Sequence, residues 1–583
     1  MTKLIETEVL VVGAGPAGAS SAVFLGKHGI RTVMISRHSG TANSPRAHIT
    51  NQRAMEALRD AGLEEQCMDH ASPSKFIEHT FWLRSMAGEE LARTYSWGND
   101  PERVGDYLAG SPCGMSDLPQ TKLEPILVSE AQRLGSDVRF MTELTSFSQD
   151  EHGVLAETID RRTGETLNIR AKYMIGADGA RSRVVELLGI PLTGMHGLGC
   201  AINVDCELDL SEFVGDRHGS LFSVIQPASS IWAPVAMFRM VRPWTQWLIA
   251  LMAPPSVGEP EPTQEEIESR IRELVGVPNI PIKILSISKW WINEVVAENY
   301  TVGRVFCMGD AVHRHPPTNG LGSNTCVQDA FNLAWKLAMV LRGQAGPGLL
   351  DSYNAERQPV GQEIVTRANK SMRQNQKIWD TLGAGLASEA ATREHQAWSR
   401  TPEGRNTLRE DVAQFRYEYH AHGVEMNRSY ESTAVVPDGT ALVYQRDPEL
   451  YYQPSGRPGA PLPHVWLGHR MPSSRVSTLD VAGKGQFTLF TGPQGQAWRD
   501  AVKTVSERIG VAIKSASIGP FMDYEDFYGR WEQVAGLEED GCVLVRPDLY
   551  IAWRSKSGVD DPAAALEAAM TQVLSLNGSS GGR

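Results

Sequence analysis

EVLVVGAGPAG, residues Glu8–Gly18, is the stretch that decides the fold of this chain. Its first part, Glu8–Val12, is an apolar run typical of a short buried strand. The glycine loop follows, and a helical pattern then continues to Gly29. A second apolar run, Thr32–Ile35, predicts the next strand. The stretch therefore predicts a βαβ unit close to the first residue of the chain.

The loop glycines Gly13, Gly15 and Gly18 have the GxGxxG spacing of dinucleotide-binding proteins. Glycine lets the backbone approach a pyrophosphate, and the free N–H groups at a helix N-terminus attract its charge. The end of the second strand departs from the usual pattern, because Ser36 stands where an acid normally holds the ribose hydroxyls. Ser36 and Arg37 can still hydrogen-bond a ribose or an adenosine phosphate. A plain surface loop is the alternative interpretation of both segments.

Length and charge narrow the class of protein. The chain has 583 residues, which predicts two or three domains. Its net charge of −13 argues against nucleic-acid or anionic-membrane binding, since both need a basic surface. We expect no signal peptide and no stable membrane insertion, because no apolar run is long enough. The seven cysteines include no CxxC pair, so a cytoplasmic protein with reduced thiols is expected.

Two further motifs follow apolar runs that resemble buried strands. YMIGADGA places Asp178 and Gly179 after one run, and RVFCMGDAVHRHPPTNGLGSNT places Gly309 and Asp310 after another. Each dipeptide is common in turns, but the three strand-end motifs together are rare by chance. The second motif also contains an HxH pair, His313 and His315. A metal site would need more ligands than the surrounding sequence supplies, so no metal is predicted.

The rest of the chain alternates between helical and strand-rich patterns. Ser116–Gly135 predicts an amphipathic helix, and residues 138–175 and 195–300 predict mainly strands. Thr263 and Glu266 form a predicted capping box before another helix. Residues of about 380–440 are helical and charged, and a separate α/β unit begins near residue 440.

PRAHITNQR, SDLPQ, YMIGADGA, RMVRPW and GRVFCMGDAVHRHPPTNGLGSNT carry a family resemblance. The chain resembles the single-component FAD-dependent aromatic hydroxylases, the group of p-hydroxybenzoate and phenol hydroxylases, most clearly up to residue 375. The resemblance implies an α/β fold with a Rossmann-like FAD-binding domain, interleaved with a β-sheet substrate domain, and a C-terminal thioredoxin-like domain. The implied boundaries are 1–75, 115–190 and 300–380 for FAD binding; 76–114 and 191–299 for substrate; 381–440 for a helical connection; 441–576 for the thioredoxin-like domain; and 577–583 for a disordered tail.

The resemblance also implies which residues contact the cofactor. Gly13, Gly15 and Gly18, with Ala17 and the ribose-end residues Ser36 and Arg37, would bind the nucleotide part of FAD. Asp178 belongs to a motif that serves both FAD and NAD(P)H, and Asp310 would address the ribityl or pyrophosphate region. The other implied FAD residues are Arg46, Gln120, Leu144 through its backbone, Pro317, Gly320, Gly322, Ser323 and Asn324.

The catalytic base and the residues that contact the substrate are predicted from their positions in the sequence alone. His48 lies where the matching helix of phenol hydroxylase has an acidic residue, so it is the candidate base, with a pKa naturally near neutrality. The alternative is a helix-entry residue that packs against FAD. Phe222, Trp232 and Met237 are weaker candidates for substrate contact, and core packing explains them equally well. Arg239 and Arg242 are candidate anchors for a substrate carboxylate.

The implied function is an NADPH- or NADH-dependent FAD monooxygenase. It would use O2, through a flavin C4a-hydroperoxide, to hydroxylate a phenol ortho to its hydroxyl group. A hydroxylase of a larger aromatic polyketide shares every motif and is the main alternative. A non-catalytic binding protein on the same fold is an alternative of another class, and the intact motif from Gly309 to Asn324 argues against it. The C-terminal unit contains a single cysteine, Cys542, so packing or homodimerisation is its expected role rather than thiol exchange.

Overall fold

The computed structural model describes residues 3–227, 232–253, 258–469 and 474–576. The predicted disordered tail, 577–583, lies outside these ranges. The elements up to residue 188 are β1 (Lys3–Val12), α1 (Pro16–Lys27), β2 (Thr32–Ile35), β3 (Ile49–Thr50), α2 (Gln52–Asp60), α3 (Glu64–His70), β4 (His79–Leu83), β5 (Glu90–Tyr95), α4 (Val104–Gly110), β6 (Ser116–Asp117), α5 (Gln120–Arg133), β7 (Asp137–Arg139), β8 (Thr142–Asp150), β9 (Gly153–Asp160), β10 (Thr166–Gly176) and α6 (Arg183–Leu188).

The elements from residue 192 onward complete the chain. Up to residue 341 they are β11 (Leu192–Met195), β12 (Cys200–Glu207), α7 (Ser211–Val214), β13 (Gly219–Ile225), β14 (Val235–Arg242), β15 (Gln246–Ala253), α8 (Gln264–Val275), β16 (Lys283–Trp291), β17 (Glu294–Ala297), β18 (Thr301–Val302), β19 (Val305–Cys307), β20 (His313–Arg314) and α9 (Gly322–Leu341). The remainder are α10 (Asp351–Thr381), α11 (Glu389–Ser399), α12 (Pro402–Gln414), α13 (Arg416–Tyr419), α14 (His422–Met426), β21 (Trp466–Gly468), β22 (Arg475–Ser477), α15 (Thr478–Val481), β23 (Phe487–Thr491), α16 (Gln496–Ile509), β24 (Ile513–Ser517), α17 (Arg530–Ala535), β25 (Cys542–Val545), β26 (Ile551–Ser555) and α18 (Pro562–Val573).

The first sheet brings the three strand-end motifs to one edge. Its order is β18-β19-β10-β1-β2-β7, and β9 and β8 extend it from β10. Strands β1, β10 and β19 run parallel, with Val12 level with Gly176 and Gly176 level with Cys307. Helices α1 and α9 pack together through Phe24 and Phe331, whose ring centres are 4.9 Å apart. Because parallel strands end at the same edge, the loops that follow them converge there.

The second sheet has the order β16-β12-β15-β14-β13-β4-β5. Helix α8 covers one of its faces and begins with the predicted capping box, in which Thr263 and Glu266 hydrogen-bond each other's backbone N–H groups. Residues from α10, α12 and α13 pack on the opposite face, together with Ile49 of β3. Alternate residues of β13 and β14 therefore point to two different cores.

The helix predicted from Ser116 is shorter than expected. Ser116 and Asp117 form β6, which pairs antiparallel with β3, and helix α5 begins only at Gln120. Pro119 explains the boundary, because proline restricts the residue before it to extended conformations. The consequence is local but important: Asp117 becomes the strand partner of Ile49, one residue from His48.

The C-terminal unit is an α/β layer structure with the strand order β24-β23-β25-β26. Helices α16 and α18 contribute to the core on one face, where they meet Trp335 of α9. Glu356 of α10 accepts hydrogen bonds from Lys336 at 2.7 Å and from Arg546 at 2.6 Å, and all three side chains are fully buried. The expected fold class is confirmed by these sheets together with the comparisons below.

Candidate active site

The glycine loop after β1 forms a cradle that only glycine allows. Gly13 has φ +113°, and a Cβ atom there would lie 2.1 Å from the carbonyl oxygen of Ala177. At Gly18 a Cβ would lie 2.0 Å from the carbonyl oxygen of Gly13. The space beside Gly15 is open, since a Cβ added there would have a Glu124 oxygen, 3.8 Å away, as its nearest neighbour. Helix α1 has no side-chain cap, so its first N–H groups face this cradle and suit a pyrophosphate.

Asp178 and Asp310, the acids of the other two strand-end motifs, have different surroundings. Asp178 accepts hydrogen bonds from the Ser182 hydroxyl and, at 2.7 Å, from the backbone N–H of Arg183, so its carboxylate caps α6. Asp310 is exposed at the sheet edge, and Gly309 before it has φ +63°. The start of α1 lies next to Gly309, because a Cβ on Gly309 would lie 3.1 Å from the Ala17 Cβ. Of the two acids, Asp310 is the more exposed.

Residues Pro317–Asn324 form a wall that contacts Ile49 and Asn51. Asn319 and Gly320 both have positive φ, 64° and 61°, and a Cβ on Gly320 would lie 3.1 Å from Ile49. Asn324 donates to the Ile49 carbonyl at 2.8 Å and accepts from the Asn51 backbone N–H at 3.0 Å. The Asn324 side chain thus ties the start of α9 to β3.

The same wall is open at the start of α9. At Gly322 the nearest atom to an added Cβ is 3.8 Å away, on His315, and Ser323 is half-buried. The N-terminus of α9 has no side-chain cap, so its free N–H groups suit the electron-rich edge of a flat ring. This open, uncapped end and the cradle of α1 are the two features that fit a flavin dinucleotide.

The HxH histidines have separate structural partners. His313 is fully buried and hydrogen-bonds Asp329 at 3.1 Å, while His315 Nδ1 donates to the Pro316 carbonyl at 2.7 Å. Burial lowers the pKa of His315 to about 4, so this side chain is neutral. Within the described ranges, no group of three or more His, Cys, Asp or Glu side chains is arranged to hold a metal ion.

His48 lies beside this wall and belongs to a buried triad. His48 Nδ1 is 2.9 Å from Asp117 Oδ2, and Arg239 Nη2 donates to Asp117 Oδ1 at 3.2 Å. Arg239 also donates to the Pro45 carbonyl. The pairing of β3 with β6 holds the first two residues at this distance, and Leu118 N–H donates to the His48 carbonyl at 2.7 Å.

Burial and charge set the protonation of the triad. Burial lowers the pKa of His48, the Arg239 cation lowers it further, and Asp117 only partly offsets both. Burial alone would raise the pKa of Asp117, but its two basic neighbours hold it below its usual value. Burial lowers the pKa of Arg239 to about 10, which leaves it charged at neutral pH. The resting triad is therefore a neutral imidazole, a carboxylate and a guanidinium.

Only one of the three predicted substrate residues shares a face with His48. Met237 lies on the same side of β14 as Arg239, and it packs against the core that includes Ile49. Phe222 is fully buried on the opposite face, where its ring stacks on Phe81 at 5.1 Å, and Trp232 packs in that same core. The structure therefore does not bring Phe222 and Trp232 to the triad.

The face that does meet His48 is lined by side chains that sequence analysis did not single out. Trp97 has φ 54°, its backbone N–H donates to the Tyr419 carbonyl at 3.1 Å, and its ring lies 3.7 Å from an added Cβ on Gly320. Other members of this core include Trp82, Met115, Ile225 and Phe415. Asp117 was also missed, although SDLPQ contains it, and Arg239 was considered only as a carboxylate anchor. Arg242 lies at the surface, 59% exposed, and contacts Thr245 and Glu207.

A cluster of arginines borders the expected ribose end of the cradle. Ser36 is buried at the end of β2, and burial followed by the charges of Arg37, Arg161, Arg46 and Arg181 lowers the pKa of His38. Arg161 donates to the Arg37 carbonyl at 3.2 Å, which holds the β9–β10 turn against this strand end.

The remaining expected cofactor residues lie between this cluster and the cradle. Gln120 donates to Glu124 at 2.6 Å, and Arg46 is exposed nearby. Burial raises the pKa of Glu124, and the charge of Arg46 opposes this. Leu144 is buried in β8.

Comparison with known proteins decides the family. A family model described as "FAD binding domain" matches residues 6–368, and one described as "Aromatic-ring hydroxylase, C-terminal" matches residues 455–576. The chain belongs to the FAD-dependent aromatic-ring hydroxylases. This membership favours an enzyme over the non-catalytic binding protein considered above, and it establishes FAD as the cofactor and NAD(P)H as the electron donor.

Full-length relatives of this family are similar along the whole chain. A 2,4-dichlorophenol 6-monooxygenase of Delftia acidovorans is 46% identical, over 98% of this chain and 99% of its own. A phenol 2-monooxygenase of a Pseudomonas species is 43% identical, over 97% and 92% respectively. The crystal structure of the flavin-dependent monooxygenase PieE with FAD and substrate superposes with a TM-score of 0.93 at 43% identity, covering 98% of this chain and 99% of PieE. In the part of the chain that is described, no helix combines the length and apolar character of a membrane span.

Proposed function

We propose that this hydroxylase inserts one oxygen atom of O2 into a phenol, ortho to its hydroxyl group, with NAD(P)H as electron donor and His48 as general base. The observation that carries the proposal is the His48–Asp117–Arg239 triad, set beside the wall at Pro317–Asn324 and an apolar, aromatic-rich core. A phenol needs such a base, because its ring becomes more nucleophilic when the hydroxyl group loses its proton.

His48 is suited to take that proton. Its Nδ1–H donates to Asp117, so the Nε2 lone pair is the acceptor atom for a phenolic proton. The imidazolium formed in this step is stabilised by the Asp117 carboxylate, which Arg239 keeps ionised and oriented. The lowered pKa of His48 keeps the imidazole neutral at the pH of the cytoplasm. The cytoplasm is the expected location of the protein.

The cofactor fits the two uncapped helix N-termini. We propose that Gly13, Gly15, Ala17 and Gly18 hold the FAD pyrophosphate, while Asp310 holds the ribityl or pyrophosphate region. When held there, FAD would supply the redox chemistry that links NAD(P)H and O2 to oxygen transfer. The proposed contacts of the ring and of the rest of the cofactor are Pro317, Gly320, Gly322, Ser323, Asn324, Ser36, Arg46, Gln120 and the backbone of Leu144. Asp178 is not a direct contact of FAD in this proposal, because its carboxylate caps the N-terminus of α6.

The protein's further contribution is an apolar enclosure for the ring of the substrate. Met237, Trp97 and Met115 on the His48 side of the second sheet would exclude water from the reacting atoms. Phe222 and Trp232 are not part of this proposal, because they pack on the other face.

The arginine cluster suits the adenosine end of FAD. Arg37, Arg161 and Arg181 surround His38 at the nucleotide end of the cradle. Their guanidinium groups can donate hydrogen bonds to the ribose and the diphosphate of the cofactor.

The test is a turnover assay with FAD-loaded protein, a panel of phenols and chlorophenols, and each nicotinamide donor in turn. We expect NADPH oxidation, O2 consumption and an oxygen-inserted catechol in matching amounts, with the product identified by mass spectrometry. His48→Ala should retain FAD and lose most of the product rate, and the loss should shrink for phenols already ionised at the assay pH. NADPH oxidation without any oxygenated product from any phenol would refute the proposal, and product from polycyclic aromatics alone would favour a polyketide hydroxylase.

A homodimer is the oligomeric state that we propose. Leu285, Ile287 and Trp291 of the edge strand β16 are 43 to 45% exposed, and edge strands with exposed apolar residues tend to pair with another chain. Light scattering of wild-type protein and of an Ile287→Lys variant tests this proposal; a wild-type mass equal to one chain would refute it.

A further inference from the structure

Glu418 of α13 contacts the back of the flavin-facing wall through reciprocal hydrogen bonds with Asn319. The side-chain amide of Asn319 donates to the carbonyl oxygens of Tyr417, at 2.6 Å, and Glu418, at 3.2 Å. In the other direction, the backbone N–H of Asn319 donates to the Glu418 carboxyl group. Asn375 of α10 also donates to this carboxyl group, at 2.7 Å.

The residue held in this way is in an unfavourable backbone conformation. Asn319 has φ 64° and ψ −5° and is almost fully buried, so its neighbours must hold it in place. It lies inside the turn Pro317–Gly320. The last residue of this turn, Gly320, packs against Ile49, which follows His48 in the chain. Any movement of α13 would therefore be passed to the ring side of the wall.

Glu418 also has a route to solvent. It lines a surface groove of about 600 Å³ whose wall includes Arg367, Lys370, Gln374 and Glu449. Glu418 is 6% exposed and belongs to the wall of this groove, so its proton can exchange with water without unfolding of its surroundings.

The charged groups around Glu418 leave its ionisation finely balanced. Arg367 faces it from α10 but is engaged by Glu449 at 2.6 Å, and Lys370 lies 3.7 Å from the same carboxylate. Asp447, on the loop beyond, accepts from Tyr417 at 2.7 Å. Burial raises the pKa of Glu418 to about 8, and the hydrogen bond from Asn375 and the charge of Arg367 offset this only in part.

We propose that Glu418 is a positioning residue for the flavin, which holds the turn Pro317–Gly320 through Asn319 and exchanges its proton with solvent through the adjacent groove. The inference rests on the proposed placement of the flavin ring against Pro317–Asn324. The neutral and ionised forms of Glu418 hold the turn with different strength, because a charged acceptor strengthens both of its hydrogen bonds. The ionised form also adds a negative charge behind the ring.

The test follows bound FAD rather than turnover. The absorbance spectrum of the FAD-loaded protein is recorded from pH 6.5 to pH 9.5, with the FAD dissociation constant at each pH. Wild-type protein should show a spectral transition with a midpoint near the pKa of about 8. Glu418→Gln keeps an oxygen acceptor for Asn319, so it should bind FAD within about twofold of wild type but lose the transition.

Two other variants make the result specific. Glu425→Gln is the matched control, because burial also raises the pKa of Glu425 to about 8. The charged group that acts on Glu425 is Arg428, rather than a residue of the wall. This variant should keep the transition. Asn319→Gly removes the side-chain half of the contact without backbone strain, because glycine favours positive φ, and should weaken FAD binding about tenfold.

Three outcomes would overturn the inference while FAD still binds: no transition in wild type, an unchanged transition in Glu418→Gln, or an equal loss in Glu425→Gln. Unchanged FAD affinity in Asn319→Gly would overturn the positioning role, even if Glu418→Gln did not fold. Failure of the wild-type chain to bind FAD is a different result, which would instead refute the proposed cofactor site.

Discussion

Asp117→Asn is the substitution that tests the proposed base most directly. It preserves the shape of the side chain but removes the carboxylate that accepts from His48 at 2.9 Å and from Arg239 at 3.2 Å. An asparagine leaves the imidazole without an anion to stabilise it when it takes up a proton. The backbone pairing of β3 with β6 is unaffected, so the position of His48 should be retained.

The size of the effect follows from the hydrogen bond that is lost. A hydrogen bond to a charged group contributes about 1.5–3 kcal/mol, and 1.36 kcal/mol corresponds to a factor of ten in rate. We therefore expect kcat/KM for a phenol to fall by about 10- to 150-fold. Because Asp117 raises the pKa of His48, its removal should also move the acid limb of the pH–rate profile to lower pH.

The assay measures product formation against pH with FAD-saturated enzyme, and compares a neutral phenol with one that is already ionised. The ionised phenol should lose far less rate, since it needs no base. Asp438→Asn is the matched control, because this carboxylate also pairs with a buried arginine, Arg554, at a distant place in the fold. A variant at position 117 that binds FAD and keeps the wild-type rate and pH profile would refute the role of the triad.

Three further substitutions test other parts of the structure. Gly13→Ala should yield protein without bound FAD, since the added Cβ would lie 2.1 Å from the Ala177 carbonyl oxygen; bound flavin measured by absorbance at the wild-type level would contradict the cradle. Arg37→Gln should weaken FAD binding about fivefold, because a partly exposed charge contributes about 1 kcal/mol; an unchanged FAD dissociation constant would argue against contact of Arg37 with the cofactor. Glu356→Gln leaves buried Lys336 without its anion and removes one of the two carboxylates that pair with buried Arg546, so it should lower the free energy of unfolding by about 3–5 kcal/mol, measured in denaturant, whereas exposed Glu389→Gln should have no effect.

The sequence alone determined the strand, glycine loop and helix at the start of the chain. A cradle of this kind is built from consecutive backbone atoms, so the glycines at 13, 15 and 18 reveal it without knowledge of any distant residue. The same holds for the Thr263–Glu266 capping box and for the strands and helices of the C-terminal unit, which depend on local periodicity. The family resemblance rests on motifs of this contiguous type.

Only the tertiary structure decided which side chains surround His48. Asp117 lies 69 positions and Arg239 191 positions further along the chain. Asp117 reaches His48 through the pairing of β3 with β6, and Arg239 joins them through a side-chain hydrogen bond to Asp117; no local pattern specifies either contact. Asp117 was hidden within a predicted helix, because Pro119 delays the start of α5. The alternation of β13 and β14 separates Phe222 from Met237, but alternation cannot tell which face meets the wall at Pro317–Asn324. The packing of β3, α10 and α13 on one face of the second sheet, and of α8 on the other, decides which face meets the wall.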